Sequence, residues 1–286
     1  MNASYGSYCL KACVACLFLT ALASSQTFTT IDFPGGFFTQ PTAVNASGVI
    51  VGRYFDSGFH MHGFVLAAGK YVSVDAPNAI DTELNWINSS GQIVGDYLGN
   101  DGSWHAFRLN AGNFVFFDYP GASSTNAFGI SASGDIVGTY SGTAPGRHGY
   151  LLTKQGLFSS VDFPGATVTF ASMVNETSIV GFYLDSSGTA RAYLLRGGTY
   201  QSVTCVGWDP VILTSLTPQG DMTGGGLLLA DNRQHGLVVS NARCSAIDFP
   251  GSVGNDYVNS MNPKGDMVGT YATPDGSGHG YLRTKH

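Results

Sequence analysis

The hydrophobic and polar positions of this chain recur as a six-fold repeat. From about residue 28 onward, short runs of alternating apolar and polar residues are separated by turn residues, and the pattern returns every 42 to 44 residues. The consensus of the units is roughly Val/Ile-Asp-Phe-Pro-Gly, then Thr-x-Ala, Gly-Asp-Ile-Val-Gly-x-Tyr and His-Gly-Phe/Tyr-Leu-Leu. The Asp position of the units is filled by Asp32, Asp75, Asp118, Asp162, Thr204 and Asp248. Alternation predicts β-strands, and a period of about 43 residues is the length of one four-stranded propeller blade.

The first unit shows how each repeat divides into four strands. They are predicted over 39–45, 49–55, 60–67 and 70–75, and are called a, b, c and d in chain order. Short hairpin signals, Ala46-Ser47-Gly48 and Ala68-Gly69, join a to b and c to d, whereas the b–c and d–a links are longer. Four antiparallel strands connected in this way form one blade. Blades are therefore predicted over about 37–75, 80–118, 123–162, 167–204, 211–248 and 254–286.

The two ends of the repeated region complement each other. The region begins with a lone d-like strand over about 27–33 and finishes after a c-like strand near 279–282. A closed ring leaves no unpaired terminal strand, because the N-terminal strand can supply strand d of the last blade. The sequence predicts an all-β, six-bladed β-propeller in which the N-terminal strand completes the last blade.

Five histidines share one position of the repeat, in strand c. Counting across the c–d hairpin places His62 opposite Asp75, within reach of a cross-strand pair. The same count pairs the Asp position with His105 and His235, with His148 after one extra turn residue, and with His279 through ring closure with Asp32. The fourth unit has Arg191 at the His position and Thr204 at the Asp position, so both partners change together. We interpret these pairs as structural and predict no metal or cofactor, because c strands of different blades cannot converge on one ion.

The repeat resembles the HAF-type repeats of exported bacterial proteins. His105-Ala106-Phe107 matches the name of that repeat, and its variants here are His62-Gly63-Phe64, His148-Gly149-Tyr150 and His279-Gly280-Tyr281. The resemblance covers about residues 28–286 and implies an extracellular repeat protein. It brings no family-wide catalytic residues with it.

The N-terminal segment and the composition indicate export. Lys11 precedes the apolar run 12–23, which ends in small residues, so residues 1–23 are predicted to be a secretory signal and 24–286 the propeller. No later segment approaches the roughly 20 apolar residues of a membrane-spanning helix. A net charge of −6 argues against nucleic acid as a partner. We expect a secreted protein, in the medium, in the periplasm or on the cell surface, without membrane insertion.

The two cysteines beyond the signal segment support two readings. An oxidising compartment favours a disulfide between Cys205 and Cys244. Counting along the repeat instead places them at opposite ends of neighbouring d strands, roughly 16 Å apart at about 3.3 Å per residue, which is too far for a bridge. The irregular stretch 206–210 keeps the first reading open.

Functional residues in such a ring are expected where the blades depart from the repeat. Loops on a rigid scaffold commonly carry binding groups, and the longer links gather on one face. The candidate ligand-binding residues on that face are Asp81, Glu83, Trp104, Arg147, Trp208, Asp209 and Asp256. The two tryptophans suit stacking on a sugar or peptide. The alternative is that Trp208 fills a gap in an irregular blade and that the acids are solvated.

Two functions follow from these candidates. The first is a binding or scaffold module for polysaccharide or an extracellular protein, with no catalysis. The second is a glycan-active enzyme, a hydrolase or lyase, for which Glu83 and Asp256 near the channel mouth are the nominated carboxylate pair. A hydrolase needs two carboxylates about 5–9.5 Å apart. We favour binding, since no nucleophile motif such as Gly-x-Ser-x-Gly occurs.

Overall fold

The structure is a computed structural model that describes residues 26–142 and 144–285. The predicted signal segment 1–23 lies outside these residues. The described chain forms six four-stranded antiparallel sheets, which are the blades of a β-propeller. No helix among the described residues is long and apolar enough to cross a membrane.

The strands of each blade follow one another from the channel outward. Blade 1 contains β2 (Phe38–Val44), β3 (Ile50–Phe55), β4 (Met61–Ala67) and β5 (Lys70–Val74); blade 2 contains β6 (Asp81–Ile87), β7 (Ile93–Leu98), β8 (Trp104–Asn110) and β9 (Asn113–Phe117); blade 3 contains β10 (Ser124–Ile130), β11 (Ile136–Ser141), β12 (His148–Leu152) and β13 (Phe158–Val161). Blade 4 contains β14 (Thr169–Val174), β15 (Ser178–Leu184), β16 (Ala190–Arg196) and β17 (Thr199–Val203); blade 5 contains β18 (Trp208–Leu216), β19 (Met222–Leu228), β20 (Arg233–Ser240) and β21 (Arg243–Ile247).

Blade 6 closes the ring as the sequence predicted. It contains β22 (Tyr257–Met261), β23 (Met267–Ala272) and β24 (Gly278–Lys285), and its outer strand is β1 (Gln26–Ile31). β1 runs antiparallel to β24, with Gln26 opposite Lys285 and Ile31 opposite Gly280. The predicted all-β, six-bladed propeller with an N-terminal closing strand is confirmed.

The repeated Val-Gly-x-Tyr segment builds the centre of every blade except blade 5. Gly52 in β3 lies where the first and third strands both approach the second. A Cβ at this position would run into the carbonyl oxygen of Gln40 and lie 2.7 Å from the ring of Phe64. Tyr54, two residues later, stacks on Phe33 with ring centroids 3.7 Å apart. The motif is therefore explained by close packing inside the blade.

The residue that follows each Asp position joins neighbouring blades. Phe33 packs edge-on against Tyr71 of the next outer strand at 5.5 Å, and Phe163 packs in the same way against Tyr200 at 5.4 Å. The corresponding pair between blades 4 and 5 is Cys205 and Cys244, which form a disulfide with Cα atoms 5.8 Å apart. The expected 16 Å separation was wrong. Cys205 lies in the link after β17, which brings it against Cys244 on the outer strand β21 of the next blade.

The His–Asp pairs predicted from the repeat are confirmed. His62 Nδ1 lies 3.0 Å from Asp75, and the other four pairs are separated by 2.8–3.2 Å. Three histidines also contact an aspartate of their own b–c loop through Nε2, a partner that the repeat count did not predict: Asp56, Asp101 and Asp231. In blade 4, Arg191 donates to Asp185 at 2.9 Å and to Asp209 at 2.5 Å. Asp209 thus supplies the carboxylate that Thr204 lacks.

Candidate functional site

A cavity of about 280 Å³ occupies the channel at the end where the b–c and d–a links lie. Its walls are the inner strands of the six blades and two residues of second strands. The lining residues are Gln40, Thr42, Arg53, Glu83, Asn85, Trp86, Phe128, Phe170, Ser172, Phe182, Thr214 and Asn259. The cavity is therefore formed at repeat positions that face the axis, whereas the His–Asp pairs lie farther out in each blade.

Trp86 closes the inner end of this cavity. Its side chain is buried and also lines a smaller cavity of about 90 Å³ at the opposite end of the channel. Most of the equivalent positions of the other inner strands carry small residues: Ala43, Gly129, Ser215 and Ser260. One indole fills the space that these small residues leave. The cavity is consequently blind-ended, open toward the loop face.

Three phenylalanines form one wall of the cavity. Phe170 of β14 and Phe182 of β15 stack with ring centroids 4.3 Å apart and an interplanar angle of 13°. Phe128 of β10 lies nearly parallel to Phe170 at 6.1 Å. At the rim, the guanidinium of Arg147 lies 5.3 Å from the centroid of the Phe170 ring, a cation–π contact. This wall, from blades 3 and 4, offers flat apolar surface.

The opposite wall, from blades 1 and 2, is polar. Arg53 of β3 forms an ion pair with Glu83 of β6 across the boundary between the two blades. The Nε of Arg53 also donates to Oε1 of Gln40 at 3.0 Å. These planar groups are held in one orientation by each other, so the wall presents preorganised donors and acceptors.

A buried carboxylate supports this polar wall from behind. Asp96 of β7 is fully buried and accepts hydrogen bonds from the amides of Asn85 and of Asn126, the latter at 2.5 Å. Burial raises the pKa of Asp96 to about 7, although the Asn126 hydrogen bond and the Arg53 charge oppose the rise. Burial likewise lowers the pKa of Arg53, and Asp96 counteracts that change. Asp96 fixes Asn85 and balances Arg53 without facing the cavity.

Several polar lining residues are already used to join the blades. The hydroxyl of Thr42 donates to the carbonyl oxygen of Leu84 at 2.6 Å, and Asn259 donates to that of Pro41 at 2.8 Å. Asn85 donates to the carbonyl oxygen of Ala127 at 3.0 Å. These bonds cross from one inner strand to the next around the channel, so they maintain the ring and position the lining.

Of the residues proposed from the sequence, the structure brings Glu83 and Arg147 to this cavity. Glu83 lines it, and Arg147 covers one of its lining rings. Asp81 lies at the boundary of blades 1 and 2, where it accepts the backbone N–H of Met61 at 2.9 Å. Trp104 is half-buried at the start of β8, opposite Leu98, and is not a lining residue.

Trp208, Asp209 and Asp256 have structural partners. Trp208 lies beside Gly226 and packs edge-on against His235 at 6.1 Å, where the other blades with a His at this position place a tyrosine. Trp208 therefore occupies the space of the missing tyrosine, as the alternative interpretation of the sequence expected. Asp209 pairs with Arg191, as described above. Asp256 accepts the backbone N–H of Phe249 at 3.0 Å and the hydroxyl of Ser252 at 2.6 Å.

The structure does not bring the nominated carboxylate pair together in the cavity. Asp256 occupies the inner-strand position at which Thr39 and Thr82 accept a backbone N–H in blades 1 and 2. It is buried there and does not line the cavity, because that position faces the adjoining link. Glu83 is the one carboxylate among the described residues that lines the cavity, and Arg53 is its partner.

Most of the cavity was missed because the sequence analysis looked for departures from the repeat in loops. The informative variation lies inside the inner strands. One residue of each inner strand lines the cavity, at the point where the pairing with the second strand shifts register. In blade order these residues are Thr42, Asn85, Phe128, Ser172, Thr214 and Asn259. Comparing the repeats column by column could have found this position, because its residue type varies widely from blade to blade.

Comparisons with known proteins support the fold. A fungal lectin from Aleuria aurantia, described as a six-bladed β-propeller with a novel fucose recognition mode, shares 11% identity over 89% of this chain and 93% of its own, with a TM-score of 0.54. A candidate TolB from Agrobacterium tumefaciens shares 13% identity over 92% and 98%, with a TM-score of 0.62. A gluconolactonase from Xanthomonas campestris shares 12% identity over 91% and 89%, with a TM-score of 0.56.

At these identities the similarity shows the propeller fold alone, and the three proteins differ in function. No protein-family model matches the chain, and no curated protein matches it either.

Proposed function

We propose that this protein is an exported, non-catalytic binding module that holds a glycan in the blind-ended cavity of its channel. The observation that carries the proposal is the division of that cavity into an aromatic wall and a polar wall. The stacked rings of Phe170 and Phe182 face the side that holds Gln40, Arg53 and Glu83.

A sugar ring matches this division chemically. Its C–H bonds form an apolar face that packs on an aromatic ring, while its hydroxyl groups need planar donors and acceptors at the edge. Pockets that bind small ligands generally combine apolar surface with a few well-placed polar groups. Arg53 and Glu83 can donate to and accept from neighbouring hydroxyls, and Gln40 can do both. Because Arg53 and Glu83 neutralise each other, the cavity favours an uncharged sugar.

Binding is proposed over glycan hydrolysis because the cavity lining lacks a second carboxylate among the described residues. An inverting or retaining hydrolase needs an acid and a base or nucleophile on the two sides of the bond that breaks. Asp96 is adjacent to Glu83, since the two face each other across β6 and β7. Both of its oxygens, however, accept amide hydrogen bonds, and its side chain is not exposed to the cavity.

Two further observations support the proposal. A fungal lectin with a fucose recognition mode has the same fold, which shows that six blades can carry sugar recognition. The signal-like segment and the resemblance to HAF-type repeats favour export to a compartment where polysaccharide or extracellular protein is the available partner. A protein partner is the second candidate. It would be favoured if the protein bound no glycan in the screen described next.

The test is a screen of the mature protein against an array of neutral and acidic oligosaccharides, with retained protein and released sugar measured in the same samples. The variant Phe182→Ala removes one ring of the aromatic wall. The matched control is Phe116→Ala, which removes an exposed ring from outer strand β9, away from the cavity.

We expect the wild-type protein to be retained by neutral glycans without releasing sugar. Retention should be lost in Phe182→Ala and unchanged in Phe116→Ala. Losing one stacked ring costs roughly 1 kcal/mol or more, which is about fivefold or more in affinity. Equal retention by the two variants would contradict the proposed site, and product release would replace binding by catalysis.

A further inference from the structure

Phe59, in the b–c loop of blade 1, adopts a backbone conformation that the equivalent loops of other blades reserve for glycine or asparagine. It lies three residues before His62, and its φ is +63°. The residues three before the His position in four other blades also have positive φ: Gly102, Gly188, Asn232 and Gly276. A bulky side chain is disfavoured in this left-handed region. The conformation of the turn therefore does not explain why a phenylalanine occupies this position.

The turn does not need the phenylalanine ring. Asp56 organises the loop by accepting the backbone N–H groups of Gly58 at 2.8 Å and His60 at 2.9 Å. The backbone N–H of Phe59 donates to the carbonyl oxygen of Asp56. The same arrangement recurs around Asp185 in blade 4, where glycine occupies the corresponding position. The aromatic side chain is thus an addition to a loop that folds without it.

Phe59 forms an exposed aromatic pair with Phe37. Their ring centroids are 5.4 Å apart at an interplanar angle of 72°, and the residues are 72% and 65% exposed. We call Phe37 and Phe59 the rim pair. Phe37 directly precedes β2, and Gln40 of the cavity lies three residues later on that strand, on the order of 10 Å along an extended chain. The rim pair lies outside the polar wall of the cavity, on the same blade.

The groups around the rim pair argue for a sugar rather than a membrane or a large protein surface. The acidic neighbours are Asp56 and Asp81. His60 is also nearby, and its exposed ring has Nδ1 3.9 Å from Oδ1 of Asp81. Membrane-surface sites combine apolar residues with lysine and arginine, and this loop has neither. Two rings are also far smaller than a stable protein interface, which buries about 800 Å² per partner. Aromatic surface bordered by hydrogen-bonding groups remains, and this suits a sugar ring.

We propose that the rim pair is a second sugar subsite, at which a later residue of a neutral glycan chain stacks while the first sugar occupies the cavity. This inference rests on the proposed function, because continuity with the cavity identifies the occupant. It predicts that affinity increases with chain length until the glycan reaches blade 1.

The experiment measures the affinity of the full mature chain for cello-, xylo-, manno- and fucosylated oligosaccharides, from disaccharides to hexasaccharides, by isothermal titration calorimetry. The variants are Phe59→Gly, which gives the loop the residue used in blades 2, 4 and 6, and Phe182→Ala in the cavity. Thermal unfolding of each variant is recorded alongside, because a ring with only a packing role would lower stability when removed.

For Phe59→Gly we expect unfolding at an unchanged or higher temperature, because glycine suits the positive φ, together with unchanged disaccharide affinity and a roughly three- to tenfold loss for the hexasaccharide of the series that binds. Equal hexasaccharide affinity in Phe59→Gly and wild type, with loss in Phe182→Ala, would overturn the subsite and leave the cavity standing. Loss in Phe59→Gly but none in Phe182→Ala would overturn the cavity instead. A destabilised Phe59→Gly protein, or binding of no series, would overturn the subsite.

Discussion

Cys205 and Cys244 form their disulfide at the two positions where Phe163 and Tyr200 pack edge-on one blade earlier. Cys205 is buried among the residues between blades 4 and 5. A covalent bond therefore replaces an aromatic contact at the boundary where the repeat is least regular. The link after it, 206–210, lacks the Phe-Pro-Gly turn that the other blades use most often.

Breaking this disulfide is predicted to destabilise the protein. The bond joins residues separated by 39 positions, and the chain-entropy model assigns such a loop roughly 4 kcal/mol. Cys205→Ser should lower the free energy of unfolding by about this amount, and the buried hydroxyl adds to the cost. Thermal unfolding of wild type with and without reductant measures the effect independently of any substitution.

The double variant Cys205→Phe/Cys244→Tyr is the matched comparison. It gives blades 4 and 5 the aromatic pair of blades 3 and 4, so we expect it to recover part of the lost stability and to be insensitive to reductant. A wild type whose unfolding is unaffected by reductant would rule out a stabilising role for the bridge.

The features that the sequence predicted are those that every repeat encodes. The His62–Asp75 pair follows from counting across one hairpin, and the closing role of β1 follows from the missing fourth strand at the C-terminus. Both depend on backbone register within a blade, which alternation determines.

The features that were missed depend on contacts between blades. The Cys205–Cys244 distance could not be counted along strands, because Cys205 lies beyond the end of β17, in the link that crosses to the next blade. The cavity lining also depends on the ring: Phe170 and Arg53 lie on different blades and line one cavity only when the ring closes. Sequence periodicity determines the blade, whereas the curvature of the ring determines which side chains face each other across it.

The double-carboxylate environments of His105 and His235 predict a loss of stability on raising the pH. Burial by itself lowers the pKa of His105, but the hydrogen bonds and charges of Asp118 and Asp101 outweigh it and raise the pKa. His235 behaves in the same way with Asp248 and Asp231. Because the folded pKa is raised, this stabilisation is complete below the unfolded value of about 6.5 and is lost as pH rises through the folded value.

Urea unfolding from about pH 5 to about pH 9 checks this prediction. The double variant His105→Asn/His235→Asn should be less stable than wild type at the acidic end, and the difference should shrink as the pH rises. A difference between the two proteins that stays constant across this range would contradict the assignment of charged imidazoles to these pairs.

Asp96 is predicted to add a second pH dependence in a lower range. Burial raises its pKa to about 7, so the folded protein binds this proton more tightly than the unfolded chain, whose value is about 3.9. Its contribution to stability is therefore complete below about pH 3.9 and is lost as pH rises through about 7.

The variant Asp96→Asn tests this prediction, because it mimics the protonated carboxyl group and should remove the decline in stability. Parallel stability curves for wild type and Asp96→Asn between about pH 4 and about pH 8 would refute the shift.

Trp86 is predicted to be the most costly single side chain of the channel to remove. It is buried and lines both channel cavities, while most of the equivalent positions are small, so Trp86→Ala should join the two spaces into one passage. The cost is expected to be about 3–5 kcal/mol, the range for deleting a buried aromatic side chain. Trp104→Ala is the matched control, because this half-buried tryptophan does not line the channel; we expect it to cost distinctly less. Chemical unfolding of the two variants measures both costs. Equal losses would contradict the larger packing contribution assigned to Trp86.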